Sequence, residues 1–408
     1  MSLRRPSFAL SALLLLGVAA ASGTAEANPG AAERPWTMPQ PALLESMGVQ
    51  MGGWIQQGMT LNDRRPSNGF NGPVGLNDLD REWQMNQLWL YFDRPMRNNG
   101  EGWGLGAHLD LVYGTDWRFA INNGLEDRIN GLHGQTYGMV IPQAYVTVGY
   151  NDLSVKMGHF ASPMLVYETV PTVATPLYSH SYAMAFSEVI LATGVIADYK
   201  MTENFTPFFG FTRGWMQWED NNGALDWTGG FHYTFRPWKT KISYAANCGP
   251  QDPAGRQQRF SQMALVRQPL GRKWEYIFQT DYGSELYAAP GGSTAEWYGI
   301  CQYLNYSINP RWRAIVRAEW FRDDDGARVF GPPPGAGIRA WPGAPGFAGD
   351  FYELTLGLNW RTHPNVLVRP ECRWDWYEGT LNSAGQLPFN DGNSSSQLLF
   401  ACDLVITF

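Results

Sequence analysis

Residues 311–321 read RWRAIVRAEWF. On an extended chain, Trp312, Ala314, Val316, Ala318 and Trp320 share one side, while Arg311, Arg313, Ile315, Arg317 and Glu319 share the other, because successive strand side chains point to opposite faces. The apolar side starts and ends on Trp. From Trp312 to Trp320 a strand covers roughly 26 Å at about 3.3 Å per residue. A tilt near 40° shortens that to about 20 Å along a membrane normal, close to the roughly 25 Å apolar band between the aromatic girdles of an outer-membrane barrel. The two faces cannot be exchanged. A Lys or Arg in lipid near the midplane costs about 2–4 kcal/mol, so Arg313 and Arg317 require a wet interior.

Two further segments repeat the pattern. In FYELTLGLNWR (351–361), Tyr352, Leu354, Leu356, Leu358 and Trp360 oppose a face carrying Glu353 and Arg361. In VLVRPECRWDWY (366–377), Arg369, Glu371, Arg373 and Asp375 oppose Val368, Pro370, Cys372, Trp374 and Trp376. Composition agrees. The chain has 18 Trp, 19 Tyr and 21 Phe among 408 residues, yet its mean hydropathy is negative. That combination fits strands with one face in lipid and one in water. The net charge of −7 gives no reason to expect a nucleic-acid partner. Zinc spacings, phosphate loops and dinucleotide fingerprints are missing from the sequence, and no cofactor or metal is expected.

Connections carry an independent signal. Tight turns are expected at Asn151-Asp152, Thr202-Glu203-Asn204, Arg236-Pro237-Trp238, Pro269-Leu270-Gly271, Asn309-Pro310 and His363-Pro364. Between them lie longer segments near 61–81, 115–138, 161–187, 218–223, 248–256, 284–293, 323–349 and 379–394. Short turns on one side and long loops on the other characterise bacterial outer-membrane barrels. The reading is an all-β, transmembrane up-and-down antiparallel barrel of about 16 strands, occupying residues 49–408, with one long loop folded inward.

Ahead of it, Arg4 and Arg5, an apolar run from Phe8 to about Ala21 and Ala25-Glu26-Ala27 form a cleavable signal peptide over 1–27. A Pro-rich, extended periplasmic lead-in is expected over 28–48. The last strand, LLFACDLVITF (398–408), puts Leu398, Phe400, Cys402, Leu404, Ile406 and Phe408 toward lipid and Gln397, Asp403 and Thr407 inward. A closed barrel needs it to pair with the first strand, with Phe408 as the closure residue at the periplasmic girdle.

The motifs KMGHFASP (156–163), YSHSY (178–182), TRGWMQWEDNNG (212–223), AEWYGICQYLNYSIN (295–309), EWFRDDDGARV (319–329), RPECRWDWYEGT (369–380) and PFNDG (388–392) resemble those of the OmpL-like outer-membrane β-barrel porins, the porin-2 type. The resemblance runs from about Gly52 to Phe408. It implies a porin in the outer membrane, passing small hydrophilic solutes by passive diffusion, with outer-membrane lipid as its surroundings. The terminal aromatic strand resembles the signal read by the barrel assembly machinery. Analogy with general porins alone points to a homotrimer.

Two constellations stand out. The loop 161–187 is too long to lack a role, and its aromatics would be badly placed in water. Folded inward it would constrict the pore, with Tyr167, Glu168, Tyr178, Ser179, His180, Ser181 and Tyr182 at the constriction. The second comprises the charges expected to line the lumen: Arg311, Arg313, Arg317, Glu319, Glu353, Arg361, Arg369, Glu371, Arg373 and Asp375. Arg rings favour anions, but the mixed signs favour internal ion pairs. Asp323-Asp324-Asp325-Gly326 lacks the spacing of a calcium loop. His180 between Ser179 and Ser181 makes no dyad on an extended chain, and no Gly-x-Ser-x-Gly elbow occurs, so no catalysis is expected. The rival readings are an enzyme scaffolded on a barrel and a plugged structural or adhesive barrel. Cys372 and Cys402 should both face lipid, opposite one another if the last hairpin is in the expected register, and remain free thiols.

Overall fold

Trp312 lies opposite Trp360 and Trp320 opposite Tyr352 in the paired strands, so the two aromatic rows expected from sequence stand at the two ends of the wall. The Trp312 and Trp360 rings stack at 5.2 Å, as do Tyr352 and Trp376 at 5.0 Å. Between them Leu354, Leu356 and Leu358 are exposed, as a lipid-facing band requires. The computed structural model describes residues 34–131, 135–330 and 346–408. The signal peptide expected at 1–27 and the start of the lead-in at 28–33 lie outside the described residues.

The strands are β1 (Gln50–Asn62), β2 (Gln84–Arg94), β3 (Trp103–Gly114), β4 (Gly138–Val140), β5 (Ala144–Tyr150), β6 (Leu153–Ala161), β7 (Leu191–Tyr199), β8 (Phe205–Thr212), β9 (Asp226–Phe235), β10 (Thr240–Pro250), β11 (Gln258–Leu270), β12 (Trp274–Glu285), β13 (Ala295–Asn309), β14 (Trp312–Asp323), β15 (Gly349–His363), β16 (Val366–Gly379) and β17 (Ser396–Thr407). All pair antiparallel in one sheet of 17. The short β4 only extends the end of β3; the other 16 form the closed wall, each beside its neighbour in sequence. Closure is made by β17 returning to β1, from Trp54 opposite Thr407 to Asn62 opposite Leu399. No open edge is left in the wall, which is the condition for strands to cross lipid.

Phe408 completes the seam. Its N–H donates to the Gly53 carbonyl (2.9 Å) and its carbonyl accepts from the Gly53 N–H (3.0 Å). A side chain at position 53 would come within 2.8 Å of the Phe408 ring and 2.2 Å of the Trp89 carbonyl, so only glycine lets the ends meet this closely.

The expected tight turns fall where the strands reverse. One periplasmic connection, 95–102, was not legible as a turn: at eight residues it is longer than the others. The lead-in is also less extended than its prolines imply. Residues Ala42–Ser46 form a short helix, and Trp36 stacks on His363 at 4.3 Å.

The last hairpin differs from expectation by two residues. Cys372 lies opposite Phe400, and Cys402 opposite Pro370. The thiols are therefore diagonal neighbours, about 7–8 Å apart for such positions, beyond the roughly 3.5–4.5 Å Cβ separation of a disulfide. Both are free. In native membranes they are expected to react poorly with a water-soluble maleimide and readily after denaturation without reductant. A Cys372–Cys402 crosslink in a non-reducing peptide digest would contradict this register.

Candidate functional site

The connection from β6 to β7, residues 162–190, arises on the wall across from β14–β17 in the strand order, yet its charged contacts reach that far wall. It crosses the lumen. Leu177, Tyr178, Tyr182 and Phe186 are buried, which removes from water the aromatics that made an outward loop unfavourable. Gly357 makes room for the crossing: a Cβ there would lie 2.3 Å from Leu177 Cδ2. At the turn Thr172–Ala174, Val173 is exposed and the loop meets open space.

A segment inside a barrel has no strand to pair with, so its backbone groups need other partners. Lumen charges supply them. Glu371 accepts the N–H groups of Tyr178 (2.9 Å) and Ser179 (3.1 Å). Glu319 accepts those of Tyr182 (2.6 Å) and Ala183 (2.7 Å). Arg317 donates to the Ser179 carbonyl (2.7 Å), and Arg373 to the His180 carbonyl (2.6 Å). Arg369 donates to the carbonyls of Thr172 (3.2 Å) and Thr175 (3.0 Å). Tyr182 donates its hydroxyl to Asp375 (2.8 Å), and Tyr178 donates its own to Asn86 (2.9 Å). The guanidinium groups are also paired with carboxylates: Arg317 with Glu168 and Glu353, Arg369 with Asp403, Arg373 with Asp375. Removing one member of such a buried network leaves an uncompensated charge and costs about 3–5 kcal/mol.

The structure thus divides the sequence-read charges into two groups. Arg317, Glu319, Glu353, Arg369, Glu371, Arg373 and Asp375 are buried and hold the loop. Arg311 and Arg361 are exposed at the periplasmic end, and half-buried Arg313 pairs with Glu275 at 2.9 Å. Of the loop residues, Tyr178, Ser179, His180, Ser181, Tyr182 and Glu168 are buried together. Tyr167 sits apart, accepting from Asn305 (2.8 Å) and packed edge-on against Tyr303.

Electrostatics within the loop follow from this packing. Burial opposes the charge on Glu168, but Arg317 and His180, with hydrogen bonds from Ser181, hold its carboxyl below the usual range. Burial pushes His180 down, against the opposing pull of the Glu168 carboxylate. Its Nε2 faces the Thr169 carbonyl (3.4 Å), while Ser181 Oγ donates to Glu168 and Ser179 Oγ accepts from Arg317. Among the described residues no serine bonds to His180, and these contacts fasten the loop. The Asp323-Asp324-Asp325 carboxylates are likewise engaged: Asp323 accepts three backbone N–H groups at 327–329, Asp324 pairs with Arg322, and Asp325 accepts from the Glu296 N–H.

Sequence reasoning missed the near-wall partners. Gln87 donates to the Val170 carbonyl (2.7 Å) and to Asp116 (2.8 Å), and Asn86 also donates to Asp116 (2.9 Å). Burial pushes the Asp116 carboxyl up to about 6. Alternation could have placed Gln87 inward, but nothing local marks it as a loop contact.

Comparison with known proteins agrees with this architecture. The anion-selective porin from Comamonas acidovorans superimposes with a TM-score of 0.59 at 12% identity, over 88% of this chain and 99% of that one. The outer membrane channel DcaP of Acinetobacter baumannii gives 0.55 at 12% identity, over 91% and 100%. The trimer form of OmpT from Vibrio cholerae gives 0.55 at 12% identity, over 88% and 99%. At these identities the likeness is one of fold. No curated protein matches the chain in sequence. A family model described as beta-barrel porin-2, OmpL-like, matches residues 48–408, the whole of the barrel. The chain belongs to the OmpL-like beta-barrel porin-2 family, and it is an outer-membrane porin.

Proposed function

We propose that the barrel is a narrow, water-filled channel through which small hydrophilic solutes diffuse passively, with loop 162–190 setting its bore. The observation that carries this reading is the loop itself, stretched across the lumen and fastened by buried charges on the far wall. Residues 1–27 act as a cleaved leader, the terminal aromatic strand is read by the barrel assembly machinery, and the barrel works as a homotrimer. The last point is supported by the trimeric form of one structural neighbour.

Charge on the open side of the constriction gives the channel a preference. By strand register, Lys156, Lys241, Arg267, Arg313 and Arg361 face the periplasmic half of the lumen, against the carboxylates of Asp93, Asp198 and Glu275. Basic rings favour anions. In planar bilayers under a potassium chloride gradient, the reversal potential should indicate anion preference of roughly twofold, and Lys241→Glu with Arg361→Glu should move it toward cations. Stepwise insertions with cation preference would remove the electrostatic part of this reading. A folded, inserted barrel carrying no current would favour a plugged structural role.

A further inference from the structure

Just outside the constriction lies a cavity of about 240 Å³, bounded by Leu76, Phe119, Ala120, Val170, Met184 and Arg328 among other residues. Its walls come from residues within 75–76, 116–120, 170–190 and 328–330, in long connections on the outer side of the inward loop, where an entering solute first meets it. The wall is mostly apolar, and the charges in it are not equivalent. Arg118 is bound through both terminal nitrogens to Asp78 (2.7 and 2.8 Å). Asp116 accepts from Asn86 and Gln87. Arg328 is different. Its Nε donates to the Phe186 carbonyl (2.8 Å), and its guanidinium lies over the rings of Trp215 (5.2 Å) and Trp297 (4.7 Å). Its two terminal nitrogens make no hydrogen bond or ion pair among the described residues. Of the acids that act on it, Glu285 is paired with neighbouring Arg259 (2.7 Å), and Asp323 is occupied by backbone N–H groups.

We propose that this cavity is a recognition site for small amphipathic monoanions, aromatic or short aliphatic acids whose carboxylate docks on the free fork of Arg328 while the apolar body rests on Leu76, Phe119, Val170 and Met184. Contact with two Trp rings and the Nε hydrogen bond to Phe186 hold the guanidinium in place, so little side-chain freedom is lost on binding. A planar fork matches a carboxylate through two parallel hydrogen bonds. Burial and the charge of Arg259 act against the Arg328 cation, pushing it down to about 9, and an incoming anion relieves that deficit. An inorganic anion gains nothing from the apolar wall, and a neutral ring gains nothing from the fork. The volume admits one substituted ring, at the small end of ligand cavities.

The inference rests on the channel reading, and the experiment separates the two. Calorimetric titration of the folded full-length barrel in detergent, with benzoate, benzamide and acetate as probes, should show benzoate binding at least tenfold more tightly than either of the others. Arg328→Gln should abolish that margin, and Arg328→Lys should keep part of it. Ala185→Phe, which fills the cavity but keeps Arg328, should weaken benzoate to a similar extent. Equal binding of benzoate and benzamide, or undiminished benzoate affinity in a folded Arg328→Gln barrel, would overturn the proposal. Single-channel current without benzoate tests the channel separately: a barrel that binds benzoate through Arg328 but conducts no ions leaves the site standing.

Discussion

Replacing Arg317 with Ala is expected to release loop 162–190 from the far wall and raise single-channel conductance severalfold, with the barrel still folded. Arg317 donates to the Ser179 carbonyl and hydroxyl and pairs with both Glu168 and Glu353. Its loss would leave buried Glu168 without its ion-pair partner and Glu353 with only the more distant Arg373 at 3.7 Å, at a cost of about 3–5 kcal/mol to the docked state. That corresponds to a fall of roughly two to three and a half decades in the docked-to-released ratio. Because the strand ladder of β14 does not depend on this side chain, heat-modifiability on gels should persist. Gly357→Phe reaches the same end by another route, because any side chain at 357 runs into Leu177. Unchanged conductance in both variants, with the barrel intact, would place the loop outside the path of permeation. New sites of limited proteolysis within 168–185 provide a second readout.

Deleting Phe408 should reduce membrane-inserted, heat-modifiable protein severalfold or more. The deletion removes both hydrogen bonds to Gly53 and the ring that covers that glycine, leaving a donor and an acceptor unpaired at the end of the seam. Phe408→Asp keeps the backbone bonds and should do less harm, since charge near the membrane interface is cheaper than at the midplane. Wild-type amounts of inserted barrel from the deletion would show that the seam closes without its last residue.

The wall was legible because lipid imposes a strict rule on each strand. Arg317 and Trp320 could be assigned to faces from RWRAIVRAEWF alone, and the turns at Asn151-Asp152 and His363-Pro364 could be placed from residue type. Registers were less so. A two-residue slip keeps every side chain on its face, and Cys372 accordingly lies opposite Phe400 instead of Cys402. The inward fold of residues 162–190 was legible from its aromatics, and the mixed signs of the lumen charges pointed to internal pairing. Which backbone group each charge grips was not, because Glu371 and Tyr178 are 193 positions apart and nothing near either one names the other. Arg328 escaped notice for the opposite reason: its significance lies in the partners it lacks, which only three-dimensional packing reveals.

The same crossing loop has a consequence for the order of folding. Every wall contact except the β1–β17 seam joins neighbours in sequence and can form as a local hairpin at small entropic cost. The loop leaves the chain after β6, but its partners Glu319 and Glu371 belong to β14 and β16. Until those strands stand opposite, the N–H groups of Tyr178, Ser179, Tyr182 and Ala183 lack their carboxylate partners. Docking is therefore a late event, comparable in timing to the seam, and it adds a second long-range tie across the lumen. A nascent barrel would pass through an unconstricted, wider stage, and its maturation could be followed in time as a decline of conductance after insertion.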